Sequence, residues 1–402
     1  MESIRGIYRI GVGPSSSHTM APRLAAEIFR QKHPDAARYR VTLYGSLALT
    51  GRGHLTDVAI KNALDPIPLE IIWEPEHELP LHPLGMLFEA LNASGAVISS
   101  LRIYSIGGGA ILEEGAEPAR KSVYDLNTMS AIMSHCEEIG QTFWEYVETC
   151  EGREIWDFLR GIWEAMQASI ERGIHAEGVL PGPLGLARKA WSFHRKTQTG
   201  GPHFRRTGLT SSYALAVAEE NASGGVIVTA PTCGSSGVLP AVLRCLRETI
   251  GCEEDDILRA IATAGLIGNI VKSNASISGA EVGCQGEIGT ACAMSAGATV
   301  QVMGGTIRQI EYAAEMGLEH HLGLTCDPVA GLVQIPCIER NAFAATGALN
   351  CADYALFTDG THRIPFDVAV SVMRQTGHDI PSLYRETSSG GLAAAYRTRE
   401  KK

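Results

Sequence analysis

EEDDILRAIATAGLIGNIVK, residues 253–272, is the stretch on which the fold turns. Glu253, Glu254, Asp255 and Asp256 open it, and carboxylates there suit the positive end of a helix dipole. The run that follows, ILRAIATAGLIGNIV, is apolar on nearly every face, so it predicts a helix at the centre of a packed domain. Helical patterns surround it, at 155–172, 210–221, 237–250, 285–303, 306–320, 338–356 and 366–377. Upstream the character changes. Residues 19–32 carry Ala, Leu, Ile and Phe at helical spacing, and then VTLYGSLAL (41–49), LEIIWE (69–74) and GAVISSLRIYSI (95–106) read as short strands. Glu114 to Lys121 is polar, carries Pro118 and reads as a loop. The expected class is α+β: a small N-terminal α+β domain over 1–145, then a larger all-α domain over 150–402.

The 402 residues suffice for two such domains, and a 45% hydrophobic fraction excludes disorder. Charged residues are only 19% and the net charge is −10, which argues against nucleic acid as a partner. No apolar run reaches membrane-spanning length, and Arg5 and Arg9 interrupt any export signal, so the expected compartment is the cytoplasm and no membrane partner is expected. In that reducing setting ten cysteines are not a disulfide framework; they are packing residues or metal ligands.

Several chemistries drop out by motif. Gly11 to Gly13 lacks the third glycine of a dinucleotide fingerprint, and the chain has no Gly-Lys for a phosphate loop. It has no Gly-x-Ser-x-Gly, His-Glu-x-x-His or Cys-x-x-Cys. Pyridoxal phosphate needs a buried lysine beside a phosphate cradle, and of eight lysines only Lys272 has an apolar setting.

Five segments remain. GPSSSHTMAP (13–22) sets Ser15, Ser16, Ser17 and His18 before a helix; one hydroxyl would cap it, whereas three and a histidine suit an anionic ligand. In GSLALTGRGHLTD (45–57), His54 has Asp57 three residues on, a spacing that fits a general base and a solvated loop histidine equally. VTAPTCGSSGVLPAVL (228–243) offers Thr229, Thr232, Ser235 and Ser236 and the Gly234 backbone at a strand-to-helix turn, as helix cap or as anion site. The last two, SNASISGAEVGCQGEIGTAC (273–292) and TCDPVAGLVQIPCIERN (325–341), hold Cys284, Cys326 and Cys337 in loop positions. Their spacing is wrong for zinc and suits an iron–sulfur cluster with one iron lacking a protein thiolate. Cys292, eight residues beyond Cys284, reads as packing.

At this resolution of motifs the chain resembles the single-chain iron–sulfur-dependent L-serine dehydratases. The likeness runs in order through YRIGVGPSSSHTMAP, YGSLALTGRGHLTD, YSIGGG, ERGIHAEGVLPGPL, AVAEENASGGVIVTAPT, NASISGAEVGCQGEIG, CDPVAGLVQIPCIERNA and YRETSSGGLA. The resemblance implies a 4Fe-4S cluster on Cys284, Cys326 and Cys337, a site between a β-type N-terminal domain and a helical domain, and a homodimer. It implies His54 as the catalytic base, and places substrate-binding elements at Ser15, Ser16, Ser17 and His18 and at Thr229, Thr232, Cys233, Gly234 and Ser235. The expected substrate is a small amino acid, L-serine, deaminated to pyruvate and ammonia. L-cysteine and L-threonine are alternatives on the same scaffold, and a non-catalytic iron–sulfur amino-acid sensor is the alternative of another class. Two departures stand out. Cys233 occupies a position where many relatives have Asn, and no cysteine follows Cys351, so a C-terminal thiolate cannot reach the open iron.

Overall fold

The computed structural model describes residues 1–116, 122–199 and 201–400; of the loop expected over 114–121, residues 117–121 lie outside them. Strand β1 (Ile10–Val12) leads through a wide π-type turn at Ser16–Met20 into helix α1 (Ala21–Lys32). Then come β2 (Arg38–Tyr44), α2 (Gly45–Thr50), α3 (Thr56–Leu64), β3 (Leu69–Glu74), β4 (Gly85–Leu91), β5 (Val97–Ser105) and β6 (Ile111–Glu113). Five of these strands form one sheet in the order β3-β2-β4-β5-β6. The β2–β3 pair is parallel and the rest antiparallel. A parallel pair needs a crossover, and α2 and α3 supply it. Ala25, Ala26 and Phe29 of α1 bury against Tyr39, Val41, Met86 and Phe88 of the sheet.

The run VTLYGSLAL is therefore not one strand. Its chain leaves the sheet after Tyr44, where Gly45 takes φ 50° and turns it into α2. Strands β4 and β6 were not expected from periodicity. GMLFEAL in β4 is buried at most positions, so it shows no alternation and only its pairing on both sides marks it as a strand.

From residue 129 the chain is helical: α4 (Met129–Ile139), α5 (Phe143–Glu151), α6 (Ile155–His175), α7 (Ala190–Thr199) and α8 (Pro202–Ala222). After the three-residue strand β7 (Val226–Val228) follow α9 (Val238–Ile250), α10 (Glu254–Asn274), α11 (Gly279–Val282) and α12 (Thr290–Val302). The last are α13 (Ile307–Glu319), α14 (Cys337–Leu356), α15 (Phe366–Asp379) and α16 (Gly391–Glu400). Among the helices from residue 129 on, α4, α5, α7, α11 and α16 lie outside the expected set. They are short, and two of them are held by caps rather than by long apolar stripes: Thr128 accepts from Ala131, and Thr142 with Glu145 forms a capping box.

Helix α10 is the centre that its composition predicts. Every residue from Ile257 to Val271 except Arg259 is buried, and Glu253 with Asp256 closes a capping box at its start. Helix α12 lies close against it because glycine faces it: a Cβ on Gly268 would stand 2.8 Å from Met294 Sδ. The first nine residues also join this core. Ile4, Ile7 and Tyr8 are buried in it, and the Tyr8 hydroxyl donates to the Ile261 carbonyl at 2.8 Å. Strand β1 then pairs antiparallel with β7, Ile10 opposite Val228, and so ties the start of the chain to its middle. Among the described residues no helix is long and apolar enough to cross a membrane.

Candidate active site

A cavity opens where the loops of both parts converge, lined by Ser15, His54, Gly234, Cys284, Glu287, Cys326, Cys337, Arg340 and Glu386, with Pro14, Ile288, Pro328 and Val333. Its parts are assembled from short turns. Ser15, in extended backbone, caps the turn at 16–20 by accepting from the His18 amide at 3.0 Å. His54 sits on the turn between α2 and α3. A Cβ on Gly53 would lie 2.5 Å from the Gly331 carbonyl oxygen, so only glycine lets this turn approach the loop that carries Cys326 and Cys337.

The two histidines form one unit. Their rings stack with centroids 4.5 Å apart. His54 Nδ1–H donates to the Thr50 carbonyl at 2.9 Å, which leaves the Nε2 lone pair facing the cavity. Burial lowers its pKa to about 4, against a smaller opposing effect of the Thr50 carbonyl. His18 is lowered well below the ordinary range by burial and by His54. The carboxylate beside the pair is that of Glu386: its Oε1 is 3.4 Å from His18 Nδ1 and 4.0 Å from His54 Nε2.

The thiols come from three places. Cys284 stands at the start of the turn Gln285–Gly289 that leads into α12, Cys326 lies in the loop after α13, and Cys337 opens α14. The sulfurs of Cys284 and Cys326 and a carboxylate oxygen of Glu287 all lie within 4.8 Å of one another. All ten cysteines are free. Hydrogen bonding to Cys284, burial and the Cys284 charge push the Cys326 thiol well up, and burial with Cys284 pushes Cys337 up. Burial likewise raises Glu287. These effects outweigh the nearby Arg340 cation and keep Cys326, Cys337 and Glu287 from ionising readily, and a soft metal centre is what such a donor set fits.

The other expected residues divide. Ser15, His54, Gly234 and the three cysteines line the cavity directly. Ser17 Oγ hydrogen-bonds His18 Nδ1 at 2.9 Å, behind the cavity wall. Thr232 Oγ1 donates to Glu287 at 2.7 Å and meets Ser235 Oγ at 3.2 Å. The Thr229 hydroxyl donates to the Ile7 carbonyl and accepts from the Arg9 amide, which ties β1 to β7. Cys233 Sγ rests 3.2 Å from Met20 Sδ, and Ser16 is buried beside it in the same turn as His18. Cys292 is buried in the helical core.

Sequence reasoning singled out neither Glu287, Arg340 nor Glu386. Glu287 lies three residues from Cys284 and could have been found by that spacing. Glu386 comes from the far end of the chain: its amide donates to the Cys326 carbonyl and the Cys326 amide donates to the Tyr384 carbonyl, both at 2.8 Å.

Fold and cavity together define an α+β protein whose thiol-lined site is fit for a metal and faces a neutral histidine. Residues 92–393 match the family "Serine dehydratase alpha chain", and residues 3–68 and 65–116 match "Serine dehydratase beta chain". An L-serine dehydratase of Streptomyces coelicolor is 40% identical, with 97% of this chain and 98% of that protein covered. L-serine dehydratase 1 of Escherichia coli is 40% identical over 98% of this chain and 99% of its own length. The L-serine dehydratase of Helicobacter pylori is 35% identical, covering 97% and 98%. The chain belongs to the serine dehydratase family.

Proposed function

We propose that this protein is an L-serine ammonia-lyase, converting L-serine to pyruvate and ammonia, with a 4Fe-4S cluster held by Cys284, Cys326 and Cys337. The observation that carries the reading is the meeting of three free thiols with the open Nε2 of His54 on one cavity. When bound, the cluster's iron without a cysteine would supply Lewis-acid assistance to departure of the β-hydroxyl.

The chain's own residues do the rest. His54 Nε2 takes the α-proton, and its Nδ1–H is held by Thr50 so that the ring keeps one tautomer and one orientation. The Ser15 hydroxyl and the Gly234 backbone line the same wall and can meet the substrate carboxylate as its charge grows. Ser16, Ser17, His18, Thr229, Thr232, Cys233 and Ser235 support that wall from behind. Loss of the α-proton and of the β-hydroxyl leaves aminoacrylate, which tautomerises to the imine, and water then releases ammonia and pyruvate.

Ten free cysteines support a reducing, cytoplasmic setting. On α14 and at its end, Phe343, Tyr354 and Phe357 are 78%, 58% and 92% exposed, an aromatic face that supports a homodimer.

Anaerobically purified protein should be brown, absorbing near ~400 nm as thiolate-ligated clusters do. It should release pyruvate from L-serine faster than from L-threonine or L-cysteine and lose activity in air. His54→Ala should keep the absorbance and lose turnover by at least about a hundredfold. A colourless, fully active preparation would overturn the cluster, and near-normal turnover in His54→Ala would overturn the base.

A further inference from the structure

Glu386 is the least satisfied charged side chain of the cavity. It is 6% exposed, and its Oε2 makes no hydrogen bond among the described residues. Oε1 is shared between the two histidines, at 3.4 Å from His18 and 4.0 Å from His54. Its backbone is also set deliberately: φ is 58°, a left-handed value that a glutamate rarely adopts, and the Ser46 hydroxyl holds its carbonyl at 2.9 Å.

From this geometry we propose that Glu386 is the binding site for the α-ammonium group of the substrate, the contact that makes the cavity select amino acids over hydroxy acids. The inference rests on the dehydratase reading and extends it to the substrate group that nothing else in the cavity receives. A base about 3 Å from the α-hydrogen leaves the amino nitrogen, one bond from the α-carbon, beside the same base. A carboxylate 4.0 Å from His54 Nε2 is therefore within reach of that nitrogen. The competing carboxylate, Glu287, is already engaged: Oε1 accepts from Thr232 and Oε2 lies 3.8 Å from Cys284 Sγ. The cavity's cation, Arg340, donates to the Thr325 carbonyl and faces Asp327, and would repel an ammonium group.

The test compares L-serine with 3-hydroxypropanoate, which keeps the carboxylate and β-hydroxyl and lacks only the amino group. In cluster-loaded Glu386→Gln, the KM for L-serine should rise about 10- to 100-fold, the range expected for losing a charge-assisted hydrogen bond. Calorimetric binding of 3-hydroxypropanoate should stay within about threefold of wild type, since a ligand without ammonium loses nothing. The absorbance near ~400 nm should be unchanged. Parallel weakening of both ligands, or an unchanged KM for L-serine, would overturn the proposal. If Glu386→Gln does not fold, Glu386→Asp keeps the charge at a shorter reach and should show a smaller rise in KM, again with 3-hydroxypropanoate unaffected; parallel losses there overturn it equally. Wild-type protein that binds L-serine far more tightly than 3-hydroxypropanoate yet makes no pyruvate would refute the dehydratase reading and leave the ammonium contact standing.

Discussion

At the scale of single residues, the proposed role of His54 as base makes its proton inventory decide when the site would work. Burial lowers its pKa from the ordinary 6.5 to about 4, so the ring stays a neutral base well below neutrality. The acid limb of kcat/KM should accordingly fall below pH 6, and a pH–rate profile on cluster-loaded enzyme measures it. A limb at 6.5 or above would mean that a different group is the base. The same shift bears on stability. The unfolded ring binds a proton near 6.5 and the folded ring only near 4, so its stabilising contribution is complete above 6.5 and is lost as pH falls toward 4. The gap corresponds to about 3 kcal/mol. His54 and the three thiols were legible in the sequence because each stands in a glycine- or proline-marked turn. Glu386 was not, because its partners come from segments far away along the chain, whereas Glu287 carries a local signal in its three-residue spacing from Cys284.

At the scale of elements, helix packing is set by small residues where backbones meet. Gly173 of α6 is the sharpest case: a Cβ there would lie 2.2 Å from the Ala216 carbonyl oxygen of α8, a backbone atom that cannot swing aside. Gly173→Ala should therefore lower stability by about 1–3 kcal/mol despite the better helix propensity of alanine, read as a shift in the denaturant midpoint. An unchanged or raised midpoint would show that α6 and α8 can separate without cost. The long helices were readable because their apolar residues recur over many turns. VTLYGSLAL misled because one apolar run spans a strand and a helix, and only Gly45 marks the change.

At the scale of the whole molecule, the site is held together by segments that are otherwise remote. Residues 15, 54, 234, 284, 287, 326, 337, 340 and 386 all reach it. The tail is fastened to the cysteine loop by the Glu386–Cys326 pairing, by the Ser388 hydroxyl donating to the Pro328 carbonyl at 2.9 Å and by the Leu392 amide donating to Asp327 Oδ2 at 2.7 Å. The proposed cluster, held by Cys284, Cys326 and Cys337, would bind only the folded chain. Removing it should lower the anaerobic Tm by at least about 5 °C, a shift that calorimetry of the two forms measures. Equal Tm values would mean that the thiols are not joined by a ligand.

The sequence by itself determined the α+β class and the central helix at 253–272 and singled out Cys284, Cys326, Cys337 and His54 as candidates, their roles following from family resemblance, because composition, periodicity and turn chemistry act over a few neighbouring residues. Only the tertiary structure decided that His18 stacks on His54, that Thr229 secures β1 rather than facing the cavity, and that Glu386 closes the site. Those outcomes depend on which distant segments come to lie side by side, and no local pattern encodes that.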